Sequence, residues 1–122
     1  MAHKDILGRA GEDRAADHLR SIGFDIVARN WRCRLGEIDI IALDGDDLVV
    51  IEVKTRRGVG FGHPFEAIDP RKRRRLWRLA MAWMREHPNA ARGRRLRFDA
   101  VGIIGEVPAL APVEHLRDLE IA

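Results

Sequence analysis

A chain of 122 residues suits one compact domain, residues 1–122, and its 46% hydrophobic content is enough to build a core. A charged fraction of 34%, with no apolar run of bilayer length, excludes a helical membrane protein. The opening Met1-Ala2-His3-Lys4-Asp5 lacks the apolar stretch of a secretory signal, and the single cysteine, Cys33, cannot form an internal disulfide, so a cytoplasmic setting is expected.

The net charge is only +3, but it is unevenly spread. Between Lys54 and Arg97 there are 14 Lys and Arg against three acids, while the rest of the chain holds 8 against 16. Such segregation is the footprint of a polyanion-binding face, with a merely solvated basic helix as the bland alternative. Ser21 is the only serine, Thr55 the only threonine, and tyrosine is absent. Covalent DNA chemistry through tyrosine is therefore excluded, and a Ser-His-Asp hydrolase is not expected.

Taken in order, Asp5–Ile22 is expected to be helical, because Leu7, Ala10, Ala15, Leu19 and Ile22 recur at helical spacing and Gly23 can cap the end. Phe24–Arg32 alternates like a strand. Gly36–Leu43 and Leu48–Thr55 read as two more strands, joined by the turn Asp44-Gly45-Asp46-Asp47. Arg57–Phe65 is a Gly-rich loop. Asp69-Pro70 supplies an N-cap and a first-turn proline for a helix that runs to about His87 and stops before Pro88. Asn89–Arg95 reads as a basic loop and Leu96–Ile104 as a fourth strand, while Pro112–Ile121 is ambiguous between strand and short helix.

The central hairpin is apolar on both faces, with Ile38, Ile40, Val49, Ile51 and Val53 expected on one and Ile41, Leu43, Leu48 and Val50 on the other. A sheet of that kind is covered on both sides. The expected fold is α/β, a mixed sheet flanked by helices on both faces.

The hairpin turn fixes a register in which Asp39 lies opposite Glu52 and Glu37 opposite Lys54, all on one face. Two carboxylates across a ladder repel each other, and apolar neighbours such as Ile41 and Val50 sharpen the repulsion. A salt bridge from Lys54 is one remedy and a bound cation the other. Mg²⁺ suits the second, because it binds through one or two carboxylates and keeps several waters. Only Lys4, Lys54 and Lys72 among the 22 basic residues are lysine, so a compact ammonium at position 54 suggests a role that arginine could not fill. Glu12 shares a helical face with Ala15, Ala16 and Leu19, either as a boundary residue or as a third acid reaching toward the site.

Gly36-Glu37-Ile38-Asp39, a hairpin, and then Glu52-Val53-Lys54 resemble the PD-(D/E)xK nuclease superfamily, whose fold is restriction-endonuclease-like. More closely, the chain resembles the YraN family of small bacterial proteins, which is similar to archaeal Holliday-junction resolvases. The likeness includes Gly8-x-x-Gly11-Glu12, Asn30-Trp31, Glu52-Val53-Lys54-Thr55-Arg56, Phe61-Gly62, Lys72 and Arg97-Phe98-Asp99; Ile38 stands where the superfamily has its namesake proline. The resemblance implies Asp39 and Glu52 as ligands of Mg²⁺ or Mn²⁺, with Lys54 and Glu12 as catalytic residues. It implies an endonuclease acting on duplex or branched DNA. A non-catalytic nucleic-acid-binding or adaptor module on the same fold is the alternative, and RNA is a further candidate substrate.

Arg71, Lys72, Arg73, Arg74, Arg75 and Arg78 crowd the start of the second helix, where the helix dipole disfavours cations by roughly 0.3–1 kcal/mol each. Phosphate binding by Arg71, Lys72, Arg74, Arg75 and Arg78, with Arg56 beside the acids, is the expected reason. Arg92, Arg94, Arg95 and Arg97 would extend that track. Trp77, Met81 and Met84 form a further apolar stripe, read as core or, more sharply, as a homodimer contact. Trp31 reads as a packing residue and His63 as an ordinary loop histidine. The histidines and Cys33 make no zinc pattern.

Overall fold

A computed structural model describes residues 5–60 and 62–120. Met1, Ala2, His3, Lys4, Phe61 of the Phe61-Gly62 pair, and Ile121 lie outside the described residues. Helix α1 (Ile6–Ser21) leads into strands β1 (Asp25–Cys33), β2 (Gly36–Asp44) and β3 (Asp47–Arg56). A short 3₁₀ turn at Pro64–Ala67 precedes helix α2 (Pro70–Glu86) and the one-turn helix α3 (Pro88–Ala91). Strand β4 (Arg95–Ile104), a second 3₁₀ turn and strand β5 (Val113–Leu116) follow.

The five strands form one sheet in the order β1-β2-β3-β4-β5, parallel between β3 and β4 and antiparallel elsewhere. The parallel pair requires a crossover, and α2 provides it. The two helices take opposite faces. Leu76, Leu79, Ala80 and Trp83 of α2 pack with Ile41, Leu48, Val50 and Phe98. Ala15, Ala16 and Leu19 of α1 pack with Ile40, Val49, Ile51 and Val101. Burying a leucine or isoleucine side chain contributes roughly 1.5–3 kcal/mol, so these two layers hold the α/β sandwich together. Trp31 packs against the α2-side layer, as its sequence context suggested. Among the described residues no helix is long and apolar enough to cross a membrane.

The helix ends follow their capping residues. Asp5 Oδ1 accepts the Gly8 amide at 2.7 Å, and Asp69 Oδ1 accepts the Lys72 amide at 2.9 Å. The β2–β3 turn is the two-residue form, Asp44 pairing with Asp47, and Gly45 has the positive φ of 58° that the turn demands.

Two expectations need correction, and one open alternative is decided. Asn89–Arg95 is not wholly loop, because Pro88 starts the helical turn α3. The tail resolves as a strand at Val113–Leu116, drawn into the sheet by pairing with β4. Most important, Ile38 joins the α2-side layer while Ile40 joins the α1-side layer. Strict alternation would keep them together, so β2 is irregular around Asp39, and the β2–β3 pairing stops at Ile40–Ile51.

Gly11 explains how closely α1 approaches β3. A Cβ at this position would lie 1.9 Å from Thr55 Oγ1 and 2.8 Å from Thr55 Cβ. Gly11→Ala should therefore destabilise the protein by about 1–3 kcal/mol, despite alanine's better helix propensity. Thermal unfolding followed by circular dichroism should show a fall of several degrees, relieved by adding Thr55→Gly. An unchanged melting temperature would contradict the close approach.

Candidate active site

The end of the hairpin remote from its turn opens into a cleft of about 720 Å³ between α1 and the loop that follows β3. Asp39, Glu52, Lys54 and Glu12 all line it, together with Arg56 and the glycines of the loop. Their positions follow from the elements that carry them. Where the β2–β3 ladder stops, the Asp39 carboxylate replaces a backbone partner: its Oδ2 accepts the Val53 amide at 2.8 Å. Asp39 is thus not simply cross-paired with Glu52, as strict register required. It is fixed at the seam between the strands and is only 8% exposed.

Glu52 and Lys54 follow on β3. Lys54 Nζ lies 3.5 Å from Glu52 Oε1, with both side chains largely buried. Glu37, the other expected partner of Lys54, bonds instead to Arg32, Nε to Oε2 at 2.9 Å. Burial, and then the neighbouring Asp39 charge, push the Glu52 carboxyl up to about 7, against the opposing pull of Lys54 and Lys72. The Lys54–Glu52 ion pair therefore sits in a mostly buried cluster where burial is the largest influence on Glu52 and the Asp39 charge the next.

Lys72 is the residue whose expected role changes most. The spacing of Lys72, Leu76, Leu79 and Trp83 puts it on the buried stripe of α2, so it points toward the sheet and not out with the arginines. Its ammonium sits close enough to the cluster for its pKa to be lowered by burial and by Lys54, against the pull of Glu52 and Asp39. The sequence already carried that signal in the stripe.

Glu12 reaches the cleft from α1 and is only 1% exposed. Its Oε1 accepts from Arg29, Nε at 3.2 Å and Nη2 at 3.1 Å, and from Asn30 Nδ2 at 2.8 Å. Asn30 adopts a left-handed conformation with φ of 53°, a backbone strain of the kind that sites hold in place. Arg29 had no signal in the sequence beyond its position beside Asn30-Trp31.

The basic residues divide into two groups. Arg71, Arg74, Arg75 and Arg78 are exposed along α2. Arg56 lies at the cleft, where its Nη1 donates to the Thr55 carbonyl at 2.9 Å. Arg94, Arg95 and Arg97, expected to extend a phosphate track, instead fasten the hairpin turn. Arg94 donates to the Gly45 carbonyl at 2.9 Å, and Arg95 pairs with Asp47 at 3.4 Å. Arg97 is buried against Asp44 and Asp47, both at 2.9 Å, and Asp99 at 3.0 Å. Asp44, Asp47 and Asp99 neutralise the buried Arg97, so it does not present charge to a ligand, while Arg94 and the exposed Arg95 keep contacts to the turn. His63 likewise has structural partners: it accepts the Phe65 amide and pairs with Glu114 at 2.7 Å.

Among the described residues no three His, Cys, Asp or Glu side chains are grouped to hold a metal. A zinc-type centre does not fit this donor set. Two carboxylates, Asp39 and Glu52, lining one open cleft do fit a hard cation that takes few protein oxygens and keeps its waters.

The chain matches the uncharacterised protein family UPF0102 over residues 11–103. A UPF0102 protein of Arthrobacter is 53% identical over 117 residues, covering 96% of this chain and 98% of the relative. Relatives from Rhodococcus opacus, 50% identical over 119 residues, and Acidothermus cellulolyticus, 49% over 122, carry the same designation. The first covers 97% of this chain and 98% of the relative, the second 93% and 92%.

Proposed function

The chain belongs to the uncharacterised protein family UPF0102, and from the chemistry of its cleft we propose that it is a divalent-metal-dependent endonuclease that hydrolyses phosphodiester bonds of DNA. The observation that carries this reading is the meeting of Asp39, Glu52 and Lys54 at one open cleft, with Lys72 near enough to interact with the same cluster. The five-stranded sheet with a helix on each face is consistent with a restriction-endonuclease-like fold. Branched or junction DNA is the preferred substrate by the resemblance of the motifs to PD-(D/E)xK nucleases and junction resolvases.

Asp39 and Glu52 would hold Mg²⁺, or Mn²⁺ in its place. Bound there, the cation supplies Lewis-acid polarisation of the phosphate and a more acidic water. The chain's own groups do the rest. Lys54 donates to the attacking water and offsets the charge that develops on the phosphoryl oxygens as the new P–O bond forms and the ester P–O bond breaks. Lys72, near enough to interact with Glu52 and Asp39, would add a second ammonium to the cluster. Glu12, kept in place by Arg29 and Asn30, borders the cleft where a water would be oriented.

The exposed arginines of α2 would position the DNA backbone. Four phosphate contacts from Arg71, Arg74, Arg75 and Arg78 give an expected slope of about −3 to −4 for log affinity against log salt concentration. Replacing Arg74 by Ala should reduce the slope by about one without changing sequence preference. A binding isotherm insensitive to salt would remove this part of the reading. The activity itself is tested by incubating purified protein with branched and linear DNA, with Mg²⁺, with Mn²⁺ or with chelator. Cutting that requires the metal is expected; no cutting under any of these conditions would favour a non-catalytic module.

A further inference from the structure

We propose that the outer side of α2 carries a docking groove for an amphipathic helical segment of another protein, flanked by acidic residues. The inference goes beyond the nuclease reading and does not depend on it.

Helix α2 has more apolar surface than the sheet covers. Leu76, Leu79 and Trp83 face the core, yet Trp77 and Met81, with Met84 at the margin of that core, form an adjacent stripe along an open groove. Trp77 is 47% exposed, and Leu35, at the tip of the β1–β2 turn, is 44% exposed. With Pro88 they enclose an open groove of about 800 Å³. Trp77 and Leu35, two large apolar side chains left nearly half exposed, flank one groove instead of lying scattered over the surface. Its composition is that of a helix-binding groove: a tryptophan as anchor and methionines that can adapt their shape to apolar side chains.

The charge on the rim identifies the occupant. Arg78, Arg85 and Arg92 line the groove, and no acidic residue does. A second copy of this chain seated by two-fold symmetry would bring these arginines against their own equivalents, which disfavours the homodimer reading of the stripe. Single-stranded nucleic acid would satisfy the charge. However, the floor offers one aromatic ring amid thioether and aliphatic groups, whereas binding of successive bases relies on stacking platforms. An apolar helix face bordered by glutamate or aspartate meets both requirements, with its apolar residues on the Met and Trp floor and its carboxylates on the arginine rim.

The test uses two labelled synthetic helical peptides of about 16 residues, one with a leucine face and glutamate flanks, the other its lysine-flanked twin. Fluorescence anisotropy with the full chain should show saturable binding of the glutamate peptide, and the lysine twin should bind at least roughly ten-fold more weakly. Trp77→Ala with Met81→Ala should abolish binding, with circular dichroism reporting the fold. Arg85→Glu with Arg92→Glu should invert the preference toward the lysine twin, an outcome that a fold defect cannot imitate. Absence of saturable binding, or equal binding of both peptides, would overturn the proposal. So would a concentration-dependent dimer lost in Met81→Ala, which would assign the groove to a second copy. Displacement of the glutamate peptide by oligo-thymidine, dependent on Trp77, would assign it to single-stranded DNA.

Discussion

Asp39→Asn and Lys54→Ala should both yield folded proteins that no longer cleave DNA, but only the first should lose its divalent cation. The asparagine retains an oxygen that can accept the Val53 amide, so the seam between β2 and β3 survives while the charge is lost. Calorimetric titration with Mg²⁺ or Mn²⁺ should then show binding to the parent and to Lys54→Ala, and greatly weakened binding to Asp39→Asn. Lys54→Ala removes charge stabilisation that grows in the transition state, a loss on the order of 10²–10³ in rate. Lys72→Ala should be milder, because Lys54 remains. If Asp39→Asn cleaves DNA at the parental rate in a preparation free of contaminating nuclease, the assignment of the cleft fails.

The largest effect on stability is expected at Asp99, far from that chemistry. Asp99 is completely buried and holds three partners: Arg97 through both oxygens at 3.0 Å, His115 at 2.8 Å and the Asp118 amide at 3.0 Å. Burial alone would raise its pKa, but hydrogen bonds from His115, Arg97 and the Asp118 amide prevail and hold it below the ordinary aspartate value. Asp99→Ala would leave Arg97 buried without its bidentate partner, and breaking a buried pair in this way costs about 3–5 kcal/mol. That is a large part of the total stability of a small domain, about 5–15 kcal/mol. The depressed pKa also fixes the pH dependence. The contribution is fully present above the unfolded-state value near 3.8 and is lost as pH falls through the lower folded-state value. Denaturant titrations at neutral pH and below pH 4 should show the parent losing stability in acid, while Asp99→Asn starts lower and changes less across that window. An Asp99→Ala protein as stable as the parent would refute the role of the network.

These two regions bracket the hairpin. The Arg97 network clamps its turn through Asp44 and Asp47, and the cleft lies at its other end. The Arg97-Phe98-Asp99 motif is therefore accounted for by structure, since it fixes the register of the strands that carry Asp39 and Glu52.

Local pattern made much of this visible in the sequence. The Asp44-Gly45-Asp46-Asp47 turn gave the hairpin, the Asp69-Pro70 pair gave the start of α2, and residues apolar on both faces of the central strands required helices on both sides. The irregularity at Asp39 was not visible, because alternation in sequence assumes an unbroken ladder and here a side chain takes over a backbone bond. The fate of Arg97 was hidden for a related reason. A charged residue in a basic stretch reads as exposed until the turn acids that neutralise it are placed beside it in space. Lys72 was legible by position on the α2 stripe, but the surrounding arginines drew it into the phosphate-binding set.

The most direct test of the central claim is a crystal of the chain soaked in Mn²⁺ and measured at the manganese edge. An anomalous peak within about 2–2.5 Å of carboxylate oxygens of both Asp39 and Glu52 is the expected result. Ordered side chains in the cleft with no manganese between them, while other sites on the molecule take up the ion, would contradict it.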